Sequence, residues 1–165
     1  MSRAFTRESD TPEALPERAP GAYPNYVTPA GLAQLRARSE ALRQELAAAQ
    51  ARADAAAVQA LARDLRWVDG RAADAIVIDG TTQPHDRVAF GAEVEVEDAS
   101  GVVRHWRIVG EDEADAGSGS VSWISPLARA LAGARVGDEV LWPRPAGAQP
   151  LTVLAIRYPD ARTPR

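Results

Sequence analysis

Closely spaced carboxylates are the first residues here that could do chemistry. Glu111, Asp112, Glu113 and Asp115 run into Gly117, Ser118 and Gly119, the composition of a loop that wraps a calcium ion in oxygen ligands. Counted from Asp112, Gly117 falls at the sixth position, where such a loop turns sharply. The third and fifth positions, however, are Ala114 and Ala116, and the twelfth is Trp123 where a bidentate glutamate is needed. The acids therefore read as a solvated hairpin loop that keeps the chain soluble. His85 and His105 are far apart in sequence, with no neighbouring nucleophile or third ligand, so they suggest neither a catalytic triad nor a metal centre. The chain has no cysteine, which removes disulfides and thiolate metal sites alike. No catalytic residue, metal ligand or cofactor is expected, and the chain is not read as an enzyme.

A second possible chemistry is nucleic-acid binding. All 19 cationic residues are arginine, yet the net charge is −4, and a protein that coats nucleic acid by bulk electrostatics is usually strongly basic. Any contact with nucleic acid, DNA included, must then be local. Trp67, Trp106, Trp123 and Trp142 fall in predicted helix or strand positions and are read as core, since a stacking platform needs aromatics interleaved with basic residues on one exposed face. Over residues 29–78 seven arginines face six carboxylates, the pattern of a solvated helical surface. Arg52 stands out because it lies beside Asp54 near the middle of that segment, where it could meet a phosphate or a carboxylate of a partner. No apolar run approaches the ~18 residues that span a bilayer and no hydrophobic signal segment opens the chain, so a cytoplasmic protein without membrane contact is expected.

The elements that would position these groups divide the chain in two. Residues 1–25 hold four prolines and almost no large apolar side chain, and read as a flexible tail. Thr28 can cap a helix with Pro29 at its first position. Small and apolar residues then recur at Leu32, Leu35, Ser39, Leu42, Leu46 and Ala49, and in a second series at Val58, Leu61, Leu65, Val68, Ala72 and Ala75. Both have coiled-coil spacing, but they do not share a phase, which predicts an antiparallel helical hairpin over 26–79 reversing within 50–57. The reversal has only Asp54 as a turn former, so one continuous helix dimerising with a second copy stays open as an alternative to a monomeric hairpin. Residues 80–86 read as a linker. From 87 to 158 the period becomes strand-like, with strands near 93–97, 102–109, 121–124, 139–142 and 151–158, a turn at 98–101, and a short helix capped by Ser125 and ending at Gly133. Residues 159–165 read as a C-terminal tail. The fold class is α+β: a coiled-coil hairpin followed by a small antiparallel sheet with one short helix.

Five collinear blocks resemble the Gre family of bacterial transcript-cleavage factors: residues 26–31 (YVTPAG), 88–91 (VAFG), 108–115 (IVGEDEAD), 122–131 (SWISPLARAL) and 136–140 (VGDEV). The resemblance implies a hairpin that enters the secondary channel of RNA polymerase and an immunophilin-like C-terminal domain that docks outside it. It places the polymerase-binding turn at Ile124, Ser125 and Pro126, where the family carries Asp or Asn before Ser-Pro. In the family the rod tip holds an acidic pair in a DRSEN-like segment, which helps hold a second magnesium ion in the polymerase. Between Glu45 and Arg63 this chain offers only Asp54. The resemblance thus implies a polymerase-binding elongation regulator with Arg52 and Asp54 at the channel tip and little transcript-cleavage stimulation. Alternatives are a cleavage-stimulating factor, a dimeric coiled-coil adaptor and a peptidyl-prolyl isomerase.

Overall fold

The computed structural model describes residues 21–159; most of the N-terminal tail and the end of the C-terminal one lie outside that span. Helix α1 spans Pro29–Ala51 and α2 spans Ala55–Ala73, so the phase break marks a hairpin within one chain. The Thr28 hydroxyl accepts the Gly31 N–H at 3.0 Å, with Pro29 opening the helix. The reversal needs only Arg52, Ala53 and Asp54. Ala53 takes φ 55°, the left-handed conformation usually left to glycine, and Asp54 caps α2 by accepting the Ala57 N–H at 3.0 Å.

The two predicted seams meet, though unequally. Leu35, Ser39, Leu42 and Ala49 are buried, Leu32 and Leu46 half-buried, and Val58, Leu61, Leu65, Val68 and Ala72 of α2 are all half-buried. A two-helix rod has one shared face, so its apolar stripe is covered by its partner alone. Polar ties reinforce it: Ser39 donates to Asp69 at 2.5 Å and Arg43 Nη2 donates to both oxygens of the same carboxylate at 3.0 and 3.1 Å. The second series overshoots at Ala75, because α2 ends at Ala73 and the chain becomes strand β2 (Ile76–Val77). It pairs in parallel with β1 (Tyr26–Val27) at the base of the rod, the end away from the reversal.

The predicted linker contains a 3-10 turn at Gly80–Thr82, with its cap at Asp79. Beyond it β3 (Glu93–Asp98), β4 (Val103–Val109), β5 (Ser120–Ser122), β6 (Glu139–Trp142) and β7 (Gln149–Arg157) form one sheet in the order β5-β4-β3-β7-β6. Helix α3 (Pro126–Leu131) covers one face. The expected antiparallel sheet is in fact mixed, for β5 runs parallel to β4 through three residue pairs. Adjacent parallel strands need a crossover that returns the chain to the same end, and residues 110–119 supply it. A register shift between β3 and β7 at Glu95/Val96 bends the sheet. Val88, Val94, Val96, Ile108, Leu127, Leu131, Leu151 and Val153 fill the core beneath α3. Strict alternation in β3 explains this: Val94 and Val96 face inward while Glu93, Glu95 and Glu97 face out.

Candidate docking surface and hairpin tip

Ser125 stands between β5 and α3, where its hydroxyl accepts the Ala128 N–H at 3.2 Å and Pro126 opens the helix. Cap and proline make the turn rigid while leaving Pro126 exposed and Ser125 half-buried. Ile124 is also half-buried, with its N–H directed at the Ser122 hydroxyl at 3.4 Å. It belongs neither to the buried core nor to the large apolar residues that stand out from the surface. The structure thus brings Ile124, Ser125 and Pro126 together on one turn.

Next to that turn lies an aromatic cluster. Trp123 packs against Tyr26 at 4.9 Å between ring centroids and meets Tyr23 edge-on at 6.0 Å; Tyr26 also meets Phe90 at 6.0 Å. Arg129 of α3 lies 5.3 Å from the Tyr23 ring centroid and donates to its hydroxyl at 2.8 Å. Residues 21–25, read from the sequence as the end of the tail, are thus engaged: Asn25 is buried and donates to the Arg71 carbonyl at 2.7 Å.

Arg52 and Asp54 sit at the opposite end of the rod, both exposed. They share one turn, but the Asp54 carboxylate already serves as the cap of α2. The hairpin brings no second carboxylate into that turn, whose residues are Arg52, Ala53 and Asp54.

The acidic run is not a solvated loop. Glu113 reaches the start of α1 and accepts the Thr28 N–H at 3.0 Å, the Gly110 N–H at 3.1 Å and the Thr28 hydroxyl. A side chain on Gly31 would collide with the Glu113 carboxylate, and one on Gly110 with the Tyr26 carbonyl. Arg71, only 8% exposed, donates through Nε to Asp112 at 2.7 Å and lies 3.6 Å from Glu111. The acids therefore clasp the base of the hairpin to the sheet. One signal could have revealed this: α1 has no acid in its own first turn, although a helix N-terminus favours one, and Glu113 provides it from 85 residues away.

The histidines do not meet. His85 stacks on Tyr158 at 5.0 Å, and His105 is exposed beside Glu95 at 3.8 Å. Among the described residues no group of His, Asp and Glu is arranged to hold a metal ion. A groove of about 510 Å³ on the outer face of the sheet is lined by Glu93, Glu95, His105, Arg107 and Arg157 among others. A charged groove of this kind differs from the aromatic-lined pocket expected of an isomerase. The tryptophans fit the reading as core: Trp106, Trp123 and Trp142 pack against it, and Trp67 is half-buried with Arg71 near its ring.

Residues 83–158 match the family described as "Transcription elongation factor, GreA/GreB, C-term". The chain is similar to transcription elongation factor GreA of Methylococcus capsulatus, 41% identical over 96 residues, covering 57% of this chain and 61% of that protein. It is also similar to transcription elongation factor GreB of Xanthomonas axonopodis pv. citri, 44% identical over 97 residues and covering 58% of each. The match spans 58–62% of the length of these and similar relatives. Among solved structures, Thermus aquaticus Gfh1 is 24% identical with a TM-score of 0.41, over 80% of this chain and 97% of that one, a likeness too distant to carry an argument. A two-helix rod on a small α+β domain of the transcription-elongation-factor type is the class that fold and sequence define. The similarity to the GreA/GreB family falls on the C-terminal domain, residues 83–158.

Proposed function

We propose that this protein binds RNA polymerase at its secondary channel and modulates elongation without strongly stimulating transcript cleavage. Docking falls to the turn of Ile124, Ser125 and Pro126, while the hairpin occupies the channel with Arg52 and Asp54 at its tip. The reading rests on the family of the C-terminal domain. Its non-cleaving character is carried by one observation: the tip turn has a single carboxylate, already engaged as a helix cap. Fixing a magnesium ion from outside needs at least two converging oxygen ligands, because the ion keeps most of its water. The rod is also short, its longer helix of 23 residues extending only ~35 Å at 1.5 Å per residue. On this reading the factor has no catalytic centre, requires no cofactor, acts as a monomer in the cytoplasm, and meets nucleic acid only within the transcription complex.

Two measurements test it. Co-purification with core RNA polymerase should succeed and should weaken when Ile124→Ala and Ser125→Ala are combined; unchanged binding would move the docking surface elsewhere. In a stalled-complex assay the protein should add little cleavage and should compete with a cleavage-competent factor. Asp54→Asn, which keeps the cap, should leave that baseline and polymerase affinity nearly unchanged. Robust magnesium-dependent cleavage that vanishes in Asp54→Asn would overturn the non-cleaving reading.

A further inference from the structure

We infer that Tyr23 and Arg129 extend the docking surface beyond the turn at 124–126, and that together they receive a carboxylate from an acidic segment of the polymerase. The inference rests on the proposed polymerase binding and identifies the chemistry of its partner.

Four observations support it. First, the chain is acidic as a whole, yet residues 116–137 contain no carboxylate and only two charges, Arg129 and Arg135. Arg135 is engaged by Asp86 at 3.1 Å, whereas Arg129 has no carboxylate partner among the described residues. Second, Arg129 is exposed and held in place: it lies over the Tyr23 ring and, among the described residues, its guanidinium donates once, to the phenol oxygen. A guanidinium carries five N–H donors, so a planar fork remains free for a carboxylate, and the stacking has already reduced the entropy lost on binding.

Third, Tyr23 is 44% exposed although its ring edge is seated on Trp123, giving an aromatic platform that is both anchored and accessible. Fourth, Arg129 is continuous with the proposed turn. Its N–H bonds to the Ser125 carbonyl at 3.0 Å, which places the two side chains one helical turn apart on the same face. Tyrosine and arginine around a partly apolar turn are the residue types that dominate interface energies. Local positive charge on an acidic protein selects an acidic partner surface and disfavours basic ones.

The test measures binding of the full chain to core RNA polymerase. Arg129→Glu should weaken affinity by about a hundredfold and Arg129→Ala by about tenfold, with Arg129→Lys between Arg129→Ala and the unaltered chain because it keeps the charge but loses the fork. Tyr23→Ala should cost about tenfold and Tyr23→Phe much less. Raising salt should weaken the unaltered chain more than Arg129→Ala. If the unaltered chain binds and Arg129→Glu binds within about twofold of it, the inference falls and the polymerase reading stands. If the unaltered chain does not bind, that reading fails as well. Arg129→Lys and Tyr23→Phe preserve the packing, so a graded series cannot be attributed to misfolding.

Discussion

Asp98 closes the turn between β3 and β4 with a single carboxylate. It accepts the Ser100 hydroxyl at 2.5 Å, the Ser100 and Val102 N–H groups at 3.0 and 3.1 Å, the Arg104 guanidinium at 3.2 Å and the Gln149 amide at 3.1 Å. The Ser100 hydroxyl, followed by the Val102 N–H, holds its carboxyl below the usual range against the opposing effect of desolvation. A carboxylate depressed in the folded state contributes stability in full above its unfolded value of ~3.9 and loses it as pH falls through the folded value. Asp98→Asn should therefore unfold at lower urea than the unaltered chain at neutral pH. The gap should close as pH drops below ~4; a gap unchanged across that range would show that ionisation of Asp98 does not matter. At the same scale the tip holds Ala53 at φ 55°, a conformation that costs a residue with a Cβ ~1 kcal/mol. Ala53→Gly should raise the thermal midpoint by a few degrees and leave polymerase binding unchanged.

Helix starts were legible as elements because their signals are local. Thr28-Pro29 and Ser125-Pro126 each place a capping oxygen before a proline, and both helices begin there. The first strand of the sheet was legible from alternation, with Glu93 to Glu97 forming a strand where they were read and pairing with the return strand across the turn at 98–101. What the sequence hid depends on distant partners. The hairpin reversal has no glycine because Ala53 takes the strained conformation itself, so its position followed only from the phase of the two seams. The end of α2 was overrun because the seam continues to Ala75, while the pull into β2 comes from β1, about fifty residues earlier. The parallel pairing of β5 was hidden for the same reason. The acids at 111–113 looked solvated because Arg71, which binds two of them, is 41 residues away from Asp112. The turn at 124–126, proposed for docking, was placed by family resemblance; its chemistry alone did not mark it. The clasp gives a prediction at this scale: Arg71→Met leaves Glu111 and Asp112 without their cation and should destabilise the chain by about 2 kcal/mol in denaturant. Limited proteolysis should then cut near residues 110–115 sooner; equal stability and an unchanged cleavage pattern would mean that the clasp contributes little.

For the whole molecule, the two seams cover each other within one chain, so neither needs a second copy. Light scattering should give the 17.6 kDa monomer, and a dimer at micromolar concentration would mean that the half-buried face of α2 is completed by another protein. The short pairing of β1 with β2 has a further consequence. Parallel neighbours require a crossover, and here the crossover is the rod itself, entering at Val27 and leaving at Ile76. The base of the rod is fastened by both of its helices at one point beside the sheet. Seven residues added to each helix, in phase with the seam, would lengthen it by ~10 Å while leaving that fastening and the sheet unchanged. The rod can thus be shortened or extended by evolution as a ruler independent of its mount, with the length of one and the geometry of the other free to vary separately.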